Sequence, residues 1–155
     1  ETTKKALALA EKTAECFGIV GLLAVEMFLT KDGEILINEV APRPHNSGHH
    51  TIDACVTSQF QQHLRGIMNL PLGNTAVKMP SVMVNLLGAD GYTGQAIYEN
   101  MDKCMAVEGA KFHLYGKKMT KPFRTMGHAT ILNQDIEKAK EGGRFVMKTL
   151  KICTK

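Results

Sequence analysis

The sequence has no tryptophan, few aromatic residues of any kind (6%), only five prolines and no apolar run of membrane-spanning length. Its four cysteines, Cys16, Cys55, Cys104 and Cys153, lie far apart without a CxxC pair, and no signal-peptide pattern is visible. These absences argue against a disulfide scaffold, a paired-cysteine metal site and a helical membrane anchor, and the expected setting is reduced and cytoplasmic. One charge does not dominate either. Nineteen Lys and Arg against 15 Asp and Glu give a net charge of +4, spread along the chain, which offers little basis for nucleic-acid binding. An apolar content of 44% is enough for a core in 155 residues. The chain starts at Glu1 rather than Met and enters a helical pattern at once, as expected of a piece of a longer protein.

What the sequence does contain is a dense stretch at residues 21–51, GLLAVEMFLTKDGEILINEVAPRPHNSGHHT. Two β-prone runs, 22–30 and 35–40, flank Lys31-Asp32-Gly33-Glu34, and Asp-Gly is a strong two-residue hairpin signal. With Asp32 and Gly33 as the loop, Lys31 pairs with Glu34, Thr30 with Ile35, Phe28 with Ile37 and Glu26 with Glu39. The two glutamates then share one face with Cβ atoms about 5 Å apart, where like charges repel. Two readings relieve the repulsion. A hard cation such as Mg²⁺ takes one or two carboxylates and completes its shell with water and phosphate; alternatively each Glu forms a salt bridge to a Lys or Arg.

The strand ends in Ala41-Pro42-Arg43-Pro44-His45-Asn46-Ser47-Gly48-His49-His50, where two prolines exclude a regular helix or a central strand. A guanidinium, three imidazoles, an amide and a hydroxyl on one ordered loop suit an anion. A competing reading makes His45, His49 and Asp53 a metal site, although Pro44 and Gly48 oppose the helix that ligands at i and i+4 need. For any one of these side chains, capping the loop is a sufficient role.

Elsewhere the apolar period predicts an amphipathic helix over 2–17, with Ala6, Leu9, Ala10, Thr13, Cys16 and Phe17 on one face and Gly18 as its stop. Residues 51–68 are helical in pattern, with Ser58 a possible N-cap, Phe60, Leu64, Ile67 and Met68 as the apolar face, and Gln61, Gln62 and His63 exposed. Leu70-Pro71-Leu72-Gly73-Asn74 marks a boundary. Beyond it come a buried strand at 81–87, a short helix at 93–101, a turn at Glu108-Gly109, strands at 111–115 and 126–132, and a helix at 135–150 capped by Asn133 and weakened by Gly142-Gly143. The connection before the last strand carries Lys117, Lys118, Lys121 and Arg124 around Pro122. It is either a solvated basic turn or a tip that reaches over a phosphate.

Glu26, the run Ile37-Asn38-Glu39-Val40-Ala41-Pro42-Arg43-Pro44-His45-Asn46-Ser47-Gly48-His49, then Thr51-Ile52-Asp53-Ala54-Cys55 and Thr57-Ser58-Gln59-Phe60, closely resemble the N5-carboxyaminoimidazole ribonucleotide synthase family. This is the ATPase subunit of phosphoribosylaminoimidazole carboxylase, an ATP-grasp ligase of purine biosynthesis. Leu70-Pro71-Leu72-Gly73, Val84-Asn85-Leu86-Leu87-Gly88 and the segment from Tyr115-Gly116-Lys117 to Arg124 and Met126-Gly127-His128 extend the resemblance over almost the whole chain. It departs at Lys121 and Thr125, where Arg and Lys are common, and at Phe123, where Gly is common.

The resemblance implies an α+β chain in two parts. Residues 1–73 are the C-terminal portion of an ATP-grasp domain, an antiparallel hairpin plus helices, and 74–155 are a small mixed sheet and helix C-terminal domain. It implies that ATP and bicarbonate give carboxyphosphate, whose carboxyl group passes to the amine of 5-aminoimidazole ribonucleotide. In that family the positions of Glu26 and Glu39 hold one or two Mg²⁺ ions, and Asn38 with Glu39 belongs to the nucleotide site. Arg43, His45 and Asn46 fall where bicarbonate and the ribonucleotide meet, and Lys117 and Arg124 reach the ribonucleotide phosphate. The family is usually a homodimer. Its ATP-gripping lysines and glycine-rich loop have no counterpart in these residues, so the 155 residues alone are expected not to turn over ATP. Two other classes stay open, a sibling ATP-grasp enzyme using formate and a non-catalytic module that binds an anionic metabolite or a partner chain.

Overall fold

A computed structural model describes residues 1–155, which form two compact units: Glu1–Ile52 with Thr57–Thr75, and Asp53–Val56 with Ala76–Lys155. In the first unit, α1 (Thr2–Phe17) ends where Gly18 takes a left-handed conformation (φ 56°) and donates its N–H to the last turn. Its inward side is made by Ala6, Leu9, Ala10 and Thr13, whereas Cys16 and Phe17 are exposed.

β1 (Ala24–Leu29) and β2 (Ile35–Ala41) form the antiparallel hairpin, and its tip corrects the expected register. Thr30 N–H donates to Glu34 O, and Gly33 N–H donates to Thr30 O with Gly33 at φ 82°. The loop therefore has three residues, Lys31-Asp32-Gly33, the form in which glycine supplies the left-handed position. Leu29 then opposes Ile35, Phe28 opposes Leu36 and Met27 opposes Ile37, one residue away from the pairs a two-residue turn would give. A bulge between Met27 and Glu26, with Asn38 as the extra residue on β2, shifts the register back, so Glu26 does face Glu39.

The expected single helix over 51–68 is two. α2 (Thr51–Ala54) stops, and α3 (Gln59–Ile67) restarts on a complete capping box, in which Ser58 Oγ accepts from Gln61 N and Gln61 Oε1 accepts from Ser58 N. The facing of α3 is also the reverse of the expected one: Phe60, Leu64, Ile67 and Met68 are exposed, while Gln59, Gln62 and His63 turn inward. The inner side chains bind backbone. Gln62 both donates to Gly73 O (2.8 Å) and accepts from Gly73 N (2.9 Å), and His63 Nδ1 accepts from Leu22 N (3.0 Å). Gly66 lies so near Gly21 that an added Cβ would meet its Cα at 2.9 Å.

The second unit is built on β3 (Ser81–Leu87), which pairs with the central strand β8 (Thr125–Leu132), itself flanked on the other side by β6 (Ala110–Leu114), all antiparallel. Between them, residues 93–100 are not helical. They form β4 (Gly94–Gln95) and β5 (Ile97–Glu99), and the helix α4 (Met101–Met105) begins only as they end. β4 pairs with β7 (Met119–Thr120), and β5 pairs with a strand the sequence did not announce, β9 (Lys151–Cys153). α5 (Ile136–Thr149) is capped by Asp135, whose carboxylate accepts from Glu137 N, while Asn133 instead receives the N–H of Asp135. Gly142 and Gly143 let α5 lie on Ile131, Val82 and Val84, where added Cβ atoms would be about 3 Å from those side chains. The core gathers Val84, Leu86, Met126, Ala129, Ile131, Val146 and Ile152.

Two backbone positions yield tests. Gly109 has φ 75°, and an added Cβ would lie 2.0 Å from Leu132 O, so Gly109→Ala is expected to destabilise the second unit by about 2 kcal/mol or more in urea titration. Phe123 is 70% exposed at φ 61°, a conformation that costs a side chain about 1–2 kcal/mol, so Phe123→Gly should stabilise by about 0.5–1 kcal/mol after the entropy of glycine is counted.

Candidate functional site

The bulge decides where Glu39 points. Were pairing regular from the three-residue turn, Glu26 would oppose Asn38 and Glu39 would lie on the other face. Instead Glu26, Glu39 and His45 each place a potential ligand atom within 4.8 Å of the others. His45 Nε2 is 3.0 Å from Glu26 Oε1, and its Nδ1 is 2.8 Å from Ser47 Oγ. Neither glutamate pairs with a lysine or arginine, so the salt-bridge reading of the hairpin is replaced by a histidine contact on one acid alone.

His45 is extended (φ −115°, ψ 147°) at the entry to a short 3-10 turn, Asn46–Gly48, within the loop of residues 42–50 that follows β2. The alternative metal trio does not form. His45 meets the glutamates, His49 Nδ1 receives a hydrogen bond from Gln59 Nε2 (2.9 Å), and Asp53 is paired with His113 (2.8 Å). Arg43 is exposed and spends one Nη1 bond on Pro44 O (3.1 Å), which leaves most of its fork for a ligand. Asn38 is exposed beside Glu39 at the bulge.

A hard divalent cation fits this donor set. Two carboxylates supply oxygen ligands, the pair carries uncompensated like charge, and the one imidazole holds Glu26 in place, as outer-shell partners of metal ligands do.

Lys117 and Arg124 belong to the second unit. Lys117 Nζ donates to Thr125 O (2.7 Å) and lies 5.7 Å from the centre of the Tyr115 ring; Arg124 Nη1 donates to Met119 O (3.1 Å). Each cation is thus held by one backbone carbonyl while its other donors remain available. Tyr115 exchanges a 2.9 Å hydrogen bond with buried His128, which stacks on His113 at 4.6 Å, and His113 in turn meets Asp53. Burial pushes the Tyr115 phenol up, so it remains a neutral hydroxyl.

Sequence reasoning missed this chain of groups and also missed Gln59. For Gln59 a signal existed: Ser58-x-x-Gln61 is a capping box, and fixing the helix start there fixes which residues face inward. No such local signal links Asp53 to His113, sixty residues away.

Two family models match the chain, an ATP-grasp domain over residues 1–60 and a phosphoribosylaminoimidazole carboxylase C-terminal domain over residues 81–142. Among solved structures, the N5-carboxyaminoimidazole ribonucleotide synthetase of Thermotoga maritima superposes with a TM-score of 0.94 at 52% identity over 99% of this chain and 43% of its own. The chain belongs to the N5-carboxyaminoimidazole ribonucleotide synthase family. Within that family, the synthase of Bacillus subtilis is 50% identical over 131 residues, 84% of this chain and 33% of its own length. The phosphoribosylaminoimidazole carboxylase of Saccharomyces cerevisiae is 42% identical over 92% of this chain and 25% of its own length. The chain thus spans a quarter to two-fifths of these synthases. No helix is long and apolar enough to cross a membrane.

With Mn²⁺ as a paramagnetic stand-in for Mg²⁺, Glu26→Gln or Glu39→Gln should weaken binding to the chain by roughly tenfold or more. Electron paramagnetic resonance titration reads this directly, and unchanged affinity in both variants would remove the metal from the hairpin.

Proposed function

We propose that the protein carrying this chain uses ATP and bicarbonate to carboxylate the amine of 5-aminoimidazole ribonucleotide, giving the N5-carboxy product of purine biosynthesis. The observation that carries this reading is the Glu26–Glu39–His45 corner, set at the end of a hairpin beside a loop rich in anion-binding groups. It is supported by relatives named for this synthase, among them one from Aspergillus clavatus, 35% identical with a TM-score of 0.82, crystallised with ADP and aminoimidazole ribonucleotide.

In this reading residues 1–73 are the end of an ATP-grasp domain, 74–155 are the C-terminal domain, and the full-length protein works as a homodimer. Glu26 and Glu39 hold one or two Mg²⁺ ions, which when bound neutralise phosphate charge. Asn38 and Glu39 face the nucleotide. A bicarbonate oxygen attacks the γ-phosphorus, the bond to the bridging oxygen breaks, and ADP leaves. The ribonucleotide amine then attacks the carboxyl carbon of carboxyphosphate, phosphate departs, and the nitrogen loses its proton. Phosphoryl transfer asks chiefly for positioning and charge stabilisation. Arg43, His45 and Asn46 bind and orient the bicarbonate-derived group, and Lys117 and Arg124 use their free donors on the ribonucleotide phosphate. An acyl phosphate is labile in water, so the reaction also requires that water be kept from it. The formate-using alternative has no support among the relatives named above.

In the full-length protein, Glu39→Gln should abolish ADP release that depends on bicarbonate and ribonucleotide while leaving the melting temperature unchanged. Lys117→Ala and Arg124→Ala should raise the ribonucleotide KM about tenfold or more with little change for ATP. Turnover that survives Glu39→Gln would sink the reading.

A further inference from the structure

We infer that Gln59 is the positioning residue of the synthase loop: its carboxamide grips the backbone of His45 and so sets the imidazole against Glu26. The inference rests on the metal and bicarbonate reading of that corner.

Gln59 is 8% exposed at the start of α3, and every polar atom of its side chain is used. Its Oε1 accepts from His45 N (2.8 Å), and its Nε2 donates both to His45 O (2.7 Å) and to His49 Nδ1 (2.9 Å). The side chain thus takes the place of a neighbouring β-strand, bonding the N–H and the C=O of one extended residue. A residue held at both its N–H and its C=O loses the freedom to rotate about φ and ψ. On that fixed backbone the His45 ring is held through both nitrogens, Nε2 at 3.0 Å from Glu26 Oε1 and Nδ1 at 2.8 Å from Ser47 Oγ.

The grip is itself supported. Gln59 N donates to Thr51 Oγ1 (2.9 Å), and Gly48 runs so close that an added Cβ would sit 2.5 Å from Gln59 Oε1. Because an amide nitrogen only donates, His49 must present a lone pair at Nδ1 and carry its proton on Nε2. Three residues of the loop, His45, Gly48 and His49, are therefore organised by one buried amide. Four positions along α3, His63 holds Leu22 N, just ahead of the strand that carries Glu26, so one helix face secures both sides of the corner.

The test uses the full-length protein. Gln59→Glu keeps size and shape but replaces both donor bonds with an acceptor facing the His45 carbonyl. It should lower kcat for bicarbonate-dependent ADP release at least tenfold and leave the ATP KM within about twofold, with a lower melting temperature because buried hydrogen bonds are lost. Gly48→Ala, which displaces the same carboxamide without altering it, should reproduce the kcat loss and serves if Gln59→Glu does not fold. By ¹⁵N NMR of the imidazoles, His49 should leave the Nε2–H tautomer in Gln59→Glu. Should kcat stay within twofold and the tautomer persist while Glu39→Gln is inactive, the positioning role alone falls. Retained turnover in Glu39→Gln as well overturns the metal corner and this inference with it.

Discussion

Two acids are held opposite each other on one face of a two-stranded ribbon, and the architecture of the first unit serves that arrangement. Like charges in that position raise the free energy of the hairpin by roughly a few tenths of a kcal/mol to 1 kcal/mol. A structure keeps such a pair when something binds it. Here one acid has a histidine and the other has no charged partner, which is an electrostatic deficit suited to a cation.

The means by which the acids meet is a compensation between two irregularities. A three-residue turn moves the register one step from that of a two-residue turn, and a bulge at Asn38 moves it back. Bulges commonly re-aim side chains near active sites, and this one turns Glu39 onto the face of Glu26 while leaving Asn38 exposed beside it. Helix α3 shows a related inversion. Its polar stripe faces in because half-buried backbone groups at His45, Gly73 and Leu22 need partners that no helix or sheet supplies, and Gln59, Gln62 and His63 supply them. Its apolar stripe is left outward, so period alone predicted the helix and mistook its facing.

Legibility varied with how local the cause was. Helices α1 and α5 and strands β3, β6 and β8 were read correctly because apolar period, β-prone runs and glycine stops act within a few residues. The stretch that forms β4 and β5 was read as a helix. These strands are only two and three residues long and exist through pairing with β7 and β9, one of them at the far end of the sequence. Glycines 142 and 143 looked like a defect in α5, yet they are what allows it to lie close on Val82, Val84 and Ile131. Phe123, noted where relatives commonly have glycine, occupies a left-handed position that glycine adopts freely.

The sequence by itself determined the chemical inventory and its order: two glutamates on either side of an Asp-Gly turn, a proline-bounded loop of Arg, His and Asn, and a basic connection before the last long strand. Those follow from residue type and short-range backbone preference. Tertiary structure alone decided which of these meet: the bulge that faces Glu39 to Glu26, the meeting of His45 with the acids, the pairing of Asp53 with His113, and the amide of Gln59 bonded to the loop. The physical reason is that unsatisfied buried polar groups and unbalanced charges are settled by whichever partner the completed fold brings within about 3 Å, and spacing along the chain carries no record of that choice.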